Sequence, residues 1–491
     1  MLAACFSLGL FLFFGIVGTG VLVFLRKERK PNDFLLGPAL GIACVSIPTV
    51  TLSRLGHPIE SFGPVLALVL LAIGTFGLVR ARRQLHWKSL IPFGVLLAAS
   101  FLLTGWPLFK YDFHWLSYAN DDMANYANLA QRLLEHGYYE APSLKQFGAN
   151  QNFPMFYWFL DDVILERYGV DAVLAWAISV AHLNAFEGFM PTIVALHLCV
   201  VSAASGLVYR SARYRPAALL TCLLVACSSL LSFGVDYQLI AQSAGLALAC
   251  ATMSLITELP LDRLRGVSTT LRESAIVIVS LAGLSEVYPE VVPFVVLPSC
   301  LYVGYRIIRR TIQLVPALTF AALLAVGWTA LLNGYLRNFT WVLFSRVLGT
   351  HDLTVQTAKI KALIPLLFPF YLIPTGFANY FGAYPITVYP HEPFLSLGIA
   401  YGMLLAALTV YVIYRGVVAG EPIAFVSLVT QLLAIYLFVK VLDFGLYKIA
   451  MYSQPFVLGT FAIWWCDTWA KRLKPWPKLA RALVLSETIQ G

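Results

Sequence analysis

Apolar runs of close to twenty residues recur along most of this chain, separated by short charged connections. They fall near residues 3–25, 34–52, 63–80 and 90–107, then near 190–209, 216–234, 239–257, 274–288, 291–305 and 314–333. The last three lie near 394–414, 422–440 and 447–466. A helix needs about 20 apolar residues to cross a bilayer, so the pattern predicts an all-α polytopic membrane protein with about thirteen transmembrane helices. Two long polar segments interrupt the series. The expected organisation is four spans in 1–107, a first large loop in 108–189 and six spans in 190–333. A second large loop follows in 334–393, then three spans in 394–466 and a basic tail in 467–491.

The first loop opens on a different periodicity. After Asp121 and Asp122, the residues Met123, Tyr126, Ala127, Ala130, Leu133 and Leu134 recur at helical spacing. Asn125, Asn128, Arg132 and Glu135 take the other face, and Gly137 supplies a stop. The pattern predicts an amphipathic helix lying flat on the membrane surface. Asn120 or Asp121 is suited to cap it, and the two carboxylates sit at its positive end. Run 172–186 is apolar but short and carries His182 and Asn184; run 362–374 is broken by Pro365, Pro369 and Pro374. Both read as interfacial or re-entrant helices.

Charge sets the orientation. The chain has 34 Lys and Arg against 25 Asp and Glu, a net +9, with a mean hydropathy of +0.77. If the first span starts outside and every run crosses, the inside connections hold 23 of the 34 basic residues but only 8 of the 25 acidic ones. Short basic loops stay in the cytoplasm, so both large loops are expected on the extracytoplasmic side. That distribution also removes the nucleic-acid reading that a net positive charge invites. No basic residue precedes the first run and R-K-E-R-K follows it, the reverse of a cleavable signal peptide. The 8 cysteines are scattered without paired spacing and read as small apolar packers.

Ionisable groups gather at the predicted outer ends of the spans. Besides Asp121 and Asp122 they include His114, a second acidic pair at Asp161 and Asp162, and Asp236. The stretch S-E-V-Y-P-E places Glu286 and Glu290 four residues apart around Tyr288, on one side of a helix end. Arg337, Arg346, His351 and Lys448 supply cations at the same level. Charges at the hydrocarbon boundary pair, snorkel or face a cavity, so each has a structural reading beside a functional one. Lys448, in the first turn of the last span, suits a lipid phosphate as a point charge. No P-loop, dinucleotide fingerprint, H-E-x-x-H or C-x-x-C pair is present.

The run N-D-D-M-A-N-Y-A-N-L-A-Q-R-L-L at 120–134, just after a span and at the start of a large external loop, resembles the acidic motif and juxtamembrane helix of the GT-C glycosyltransferases. In this chain four spans precede that loop, where the familiar pattern has one. The resemblance implies a GT-C-like fold of the bacterial inner (plasma) membrane, with its active site on the extracytoplasmic face. The implied donor is a polyprenyl-phosphate-linked sugar and the acceptor a glycan, lipid or protein. Asp122 or Asp121 would act as general base, or anchor a divalent metal (Mg or Mn), which some relatives use and others do not. Arg337, Arg346, Lys448 and His351 would meet the donor phosphate. Glu286, Glu290 and Asp236 would form a second acidic group, and His114, Tyr126, Asp161, Asp162 and Tyr288 would line the cavity. An O-antigen type polymerase or ligase shares the span number and lipid-linked substrate but relies more on loop arginines. A lipid or sugar transporter or flippase favours mid-span charges and inverted repeats, and neither is evident.

Overall fold

The structure is a computed structural model, described for residues 1–26, 29–81, 87–118, 121–140, 168–262, 267–333, 374–381, 391–440 and 443–472. Every regular element among them is helical. The long helices are α1 (Leu2–Leu25), α2 (Asp33–Arg54), α3 (Ile59–Ala81) and α4 (Trp87–Gly105), followed by the short α5 (Pro107–Tyr111) and α6 (Asp121–Glu135). Then come α7 (Tyr168–Ala181), α8 (Ala185–Val208), α9 (Arg215–Ala226), α10 (Ser229–Asp236), α11 (Ile240–Thr257) and α12 (Val267–Val287). The chain continues with α13 (Pro293–Ile308), α14 (Leu314–Leu332), α15 (Pro374–Tyr380), α16 (Phe394–Ala419), α17 (Pro422–Val439) and α18 (Asp443–Arg472).

Each of the thirteen apolar runs coincides with helix. Nine helices among the described residues are long and apolar enough to cross a membrane, or eleven if two bent pairs each form one span. One bent pair is α4 with α5, turned by 56° before Pro107. The other is α9 with α10, turned by 45°; the predicted 216–234 span is therefore broken. Ser228 caps the second half, accepting from the Leu231 amide at 3.1 Å.

The connections sort to two ends of the bundle. At one end the Met1 ammonium meets Asp112 at 2.8 Å, Ser117 donates to the Asp236 carbonyl at 2.9 Å, and Tyr138 N–H donates to the Ser53 carbonyl. We call this the loop end. At the other, Arg210 pairs with Glu421 and Arg213 with Asp467 at 3.1 Å, and Tyr305 donates to the Val418 carbonyl at 3.1 Å. This is the basic end. The pairings are those that alternate crossing requires.

Close helix approach organises the core. A Cβ on Gly18 of α1 would run into the backbone of Gly37 and Gly41 on α2. One on Gly20 would strike Gly74 on α3. Backbones in contact at small residues are how helices associate in lipid, where tails are as apolar as leucine. At the basic end Arg26 follows α1 and is nearly buried. It pairs with Asp33, which opens α2, and with Glu258, which caps α11, at 2.5 Å. Lys30 Nζ reaches the same Glu258 carboxylate at 3.2 Å, and Asn32 donates to it at 2.7 Å.

Two expectations for the first loop need correcting. The amphipathic helix forms over the predicted residues, but its apolar face does not rest on the bilayer. Met123, Ala127, Ala130, Leu133 and Leu134 are buried against protein, and α6 packs on α7, α8 and α3. Arg132, placed by periodicity on the polar face, is fully buried and donates to the Tyr138 carbonyl at 2.7 Å. Helix α7, expected at the interface or as a re-entrant segment over 172–186, runs over Tyr168–Ala181 with twelve of its fourteen residues buried. Trp176 anchors it, donating to the Gly63 carbonyl at 3.2 Å.

Single cysteines test the two-ended arrangement and its orientation. Glu140→Cys should react with an impermeant thiol reagent in intact cells, and Arg309→Cys only after permeabilisation. The reverse pattern would invert the orientation, and reaction of both from one side would break the topology. The ion cluster has its own test. Burial works against the Glu258 carboxylate, but Arg26 and then Lys30 outweigh it and hold its pKa below the usual range. Its contribution is therefore fully present above the ordinary carboxylate pKa of about 4.3 and is lost as pH falls through the lower folded value. Thermal melts in detergent should show an acid limb below about pH 4 that Glu258→Gln flattens. That substitution should cost roughly 3–5 kcal/mol near neutrality by leaving Arg26 under-compensated.

Candidate functional site

The loop end is built where helices break. Helix α10 ends at Asp236, and Gln238 takes φ 65° before α11 begins. A left-handed conformation at a non-glycine residue is unfavourable and persists where contacts hold it. Here the buried Gln238 amide donates to the Leu116 carbonyl at 2.6 Å and touches Met123 Sδ at 3.0 Å. Ser117 and the Tyr118 amide both bond the Asp236 carbonyl. The segment leading into α6 is thus pinned to the α10–α11 corner, and the start of α6, with Asp122, stands above it.

The first half of α18 faces this corner. Phe233 stacks on Tyr237 at 5.5 Å and meets Tyr447 edge-on at 6.4 Å. Gln242 donates to Met451 Sδ at 2.8 Å. Tyr447 is buried, and Asp122 and Tyr237 lie close enough to act on its phenol electrostatically. Lys448 follows it, partly exposed. One turn further on, Tyr452 meets Tyr288 hydroxyl to hydroxyl, with the rings edge-on at 5.8 Å. Tyr288 marks the break between α12 and α13, and the partly exposed Glu290 sits on the single 3-10 turn that bridges them.

The predicted residues therefore divide. Lys448 lies on α18, Tyr288 meets it through Tyr452, and Asp122 acts on its Tyr447; Glu290 sits on the turn after Tyr288, and Tyr126 lies half-buried on α6. Asp236 accepts from Ser117 at 3.4 Å beside the stronger bond to its own carbonyl, and serves the corner. Glu286 and Glu290 do not share a helix face, because α12 ends between them. Glu286 points to α2, where it accepts from Ser46 at 2.9 Å with Arg54 nearby, and its backbone packs on Gly169 of α7. It braces three helices. His114 ends a 3-10 turn and is exposed. Asp121 opens α6, but its side chain, together with Asp161, Asp162, Arg337, Arg346 and His351, lies outside the described residues.

Three groups of this site escaped periodicity: Tyr447, Tyr452 and Gln242. The available signal was polar side chains at turn spacing inside apolar runs. For a metal, no three of His, Cys, Asp and Glu gather among the described residues. Asp122 therefore belongs to no such group among the described residues. No family model matches this chain, and neither a curated protein nor a solved structure matches it.

Proposed function

We propose that this protein is a membrane glycosyltransferase of GT-C type. It would move a sugar from a polyprenyl-phosphate-linked donor to a glycan, lipid or protein acceptor at the loop end, on the extracytoplasmic face. The observation that carries the reading is that α6 and α18 meet the same corner, Met123 touching Gln238 and Tyr447 meeting Phe233, with Asp122 within electrostatic reach of Tyr447. The start of α6, with Asp122, and the first turns of α18, with Lys448, are distant in the chain and converge on the loop end.

The chemistry is balanced by those two groups. The acceptor hydroxyl gives its proton to the Asp122 carboxylate as its oxygen forms a bond to the anomeric carbon. The bond from that carbon to the donor phosphate breaks, and its electron pair leaves on the phosphate oxygen. Lys448 meets the charge that develops there. The α6 N-terminus favours the ionised carboxylate at rest. Tyr237, half-buried next to the enclosed Tyr447, offers aromatic surface that suits a sugar ring.

Asparagine separates catalysis from capping, since it caps a helix well but does not take up a proton. With purified protein and a radiolabelled lipid-linked sugar, Asp122→Asn should lower turnover by roughly 10²–10⁴-fold with an unchanged melting temperature. Lys448→Ala should weaken transfer by about 1.5–3 kcal/mol, the worth of a charge-assisted bond. Wild-type transfer by both Asp121→Asn and Asp122→Asn would make the acidic pair a helix cap and remove the proposed base.

A further inference from the structure

We propose that the basic end holds a binding site for the phosphate headgroup of an anionic membrane lipid, independent of the transferase reading. Where α1 and α3 end and α12 begins, they enclose a cavity of about 200 Å³ with Arg29 of the α1–α2 connection. Four arginines line it: Arg26, Arg29, Arg80 and Arg272. No acidic residue lines it among the described residues. Its remaining wall is apolar, with Val23 and Phe24 from the last turn of α1.

The four cations are not equivalent. Arg26 is occupied by Asp33 and Glu258. Arg80 and Arg272 are exposed and come from separate helices. Arg80 lies over the Phe24 ring at 5.8 Å, a contact that steers its guanidinium toward the cavity rather than into bulk water. Arg80 and Arg272 converge on this small volume, where an anion would join two guanidinium groups that otherwise repel. Their planar donor sets match phosphate oxygens two at a time.

The position selects a lipid as the source of that phosphate. Phe24 and Phe76 pack at 6.2 Å and are both exposed, 49% and 60%. With Ile73 and Val69 of α3, also exposed, they continue the apolar wall away from the cavity along the outer surface of the bundle. A phosphodiester among the arginines would leave its acyl chains on that stripe. Free phosphate would use the cations and none of the stripe. Basic pockets between helices at the headgroup level are a recurrent form of anionic-lipid recognition.

Native mass spectrometry of the full-length protein, extracted from phosphatidylcholine vesicles doped with phosphatidylglycerol, tests this. One phosphatidylglycerol should remain bound under activation that strips phosphatidylcholine. Arg80→Gln with Arg272→Gln should weaken its retention roughly thirtyfold, at about tenfold per 1.4 kcal/mol and about 1 kcal/mol per surface cation. Both positions are exposed, and an unchanged melting curve would show that the fold survives. Arg80→Lys with Arg272→Lys should restore part of the binding. Arg309→Gln with Arg310→Gln, at the same end but outside the cavity, should leave it intact. The proposal is overturned if wild-type protein keeps no phosphatidylglycerol, or if the Arg309 and Arg310 pair matters as much as the cavity pair. It also fails if inorganic phosphate displaces the lipid at equal concentration, because the site would then recognise phosphate alone.

Discussion

Arg26 must be compensated where it stands, and much of the bundle follows from that. A guanidinium removed from water costs several kcal/mol unless carboxylates meet it with good geometry. Its partners are the first residue of α2 and the cap of α11. Satisfying one cation therefore sets where three helices end and how deep they sit. Asn32 extends the tie by donating to the Gly206 carbonyl on α8 at 3.0 Å. With that corner fixed, the glycine contacts of α1 with α2 and α3 come into register, since Gly18, Gly20, Gly37 and Gly74 meet only at one axial offset.

The same demand shapes the other end with neutral groups. Ser228 donates to Gln454 Oε1 at 2.7 Å, and the Gln454 amide donates to the Tyr380 carbonyl at 2.7 Å. Gln238 completes the α10–α11 corner. Inside the helices, Thr49, Thr192, Thr221 and Thr409 return their hydroxyls to carbonyls four residues back. Each solution is local, so hydroxyls there add no polarity toward lipid. The corners differ: their partners come from distant segments, so they link helices as well as satisfying them.

This difference explains what could be read from the sequence. Apolar length is a property of one segment, and all thirteen runs proved helical. The α6 helix was legible too, because 3.6-residue periodicity is local. Its setting was not. Arg132 lies on the polar side of the helical pattern, and nothing near it in sequence says that the Tyr138 carbonyl and the body of α7 will enclose it. Run 172–186 looked too polar for lipid, which is sound for a lipid-facing segment but irrelevant to one enclosed by protein. At the site, Asp122 and Lys448 stood out by charge and position. Tyr447 and Tyr452 did not, since an aromatic residue in an apolar span has no sequence feature separating a lipid-facing ring from one turned toward a carboxylate. Glu286 and Glu290 show the opposite error. Their four-residue spacing implied one face only while the helix continued, and Pro289 ended it.

The breaks themselves locate the polar interior. Non-helical backbone at membrane depth exposes amides and carbonyls that lipid does not satisfy, so it persists where protein encloses it or water reaches it. Three such breaks lie near α18: at Cys227–Ser228, at Tyr237–Leu239 and at Tyr288–Val292. Ser228 is bonded to Gln454 of α18, Tyr237 lies beside Tyr447, and Tyr288 meets Tyr452. A single helix thus touches all three interruptions along its first four turns. A surface helix facing lipid would gain nothing from that arrangement. A helix that buries Tyr447, Tyr452 and Gln454 among its neighbours needs it, because the breaks supply partners that a continuous apolar span would withhold.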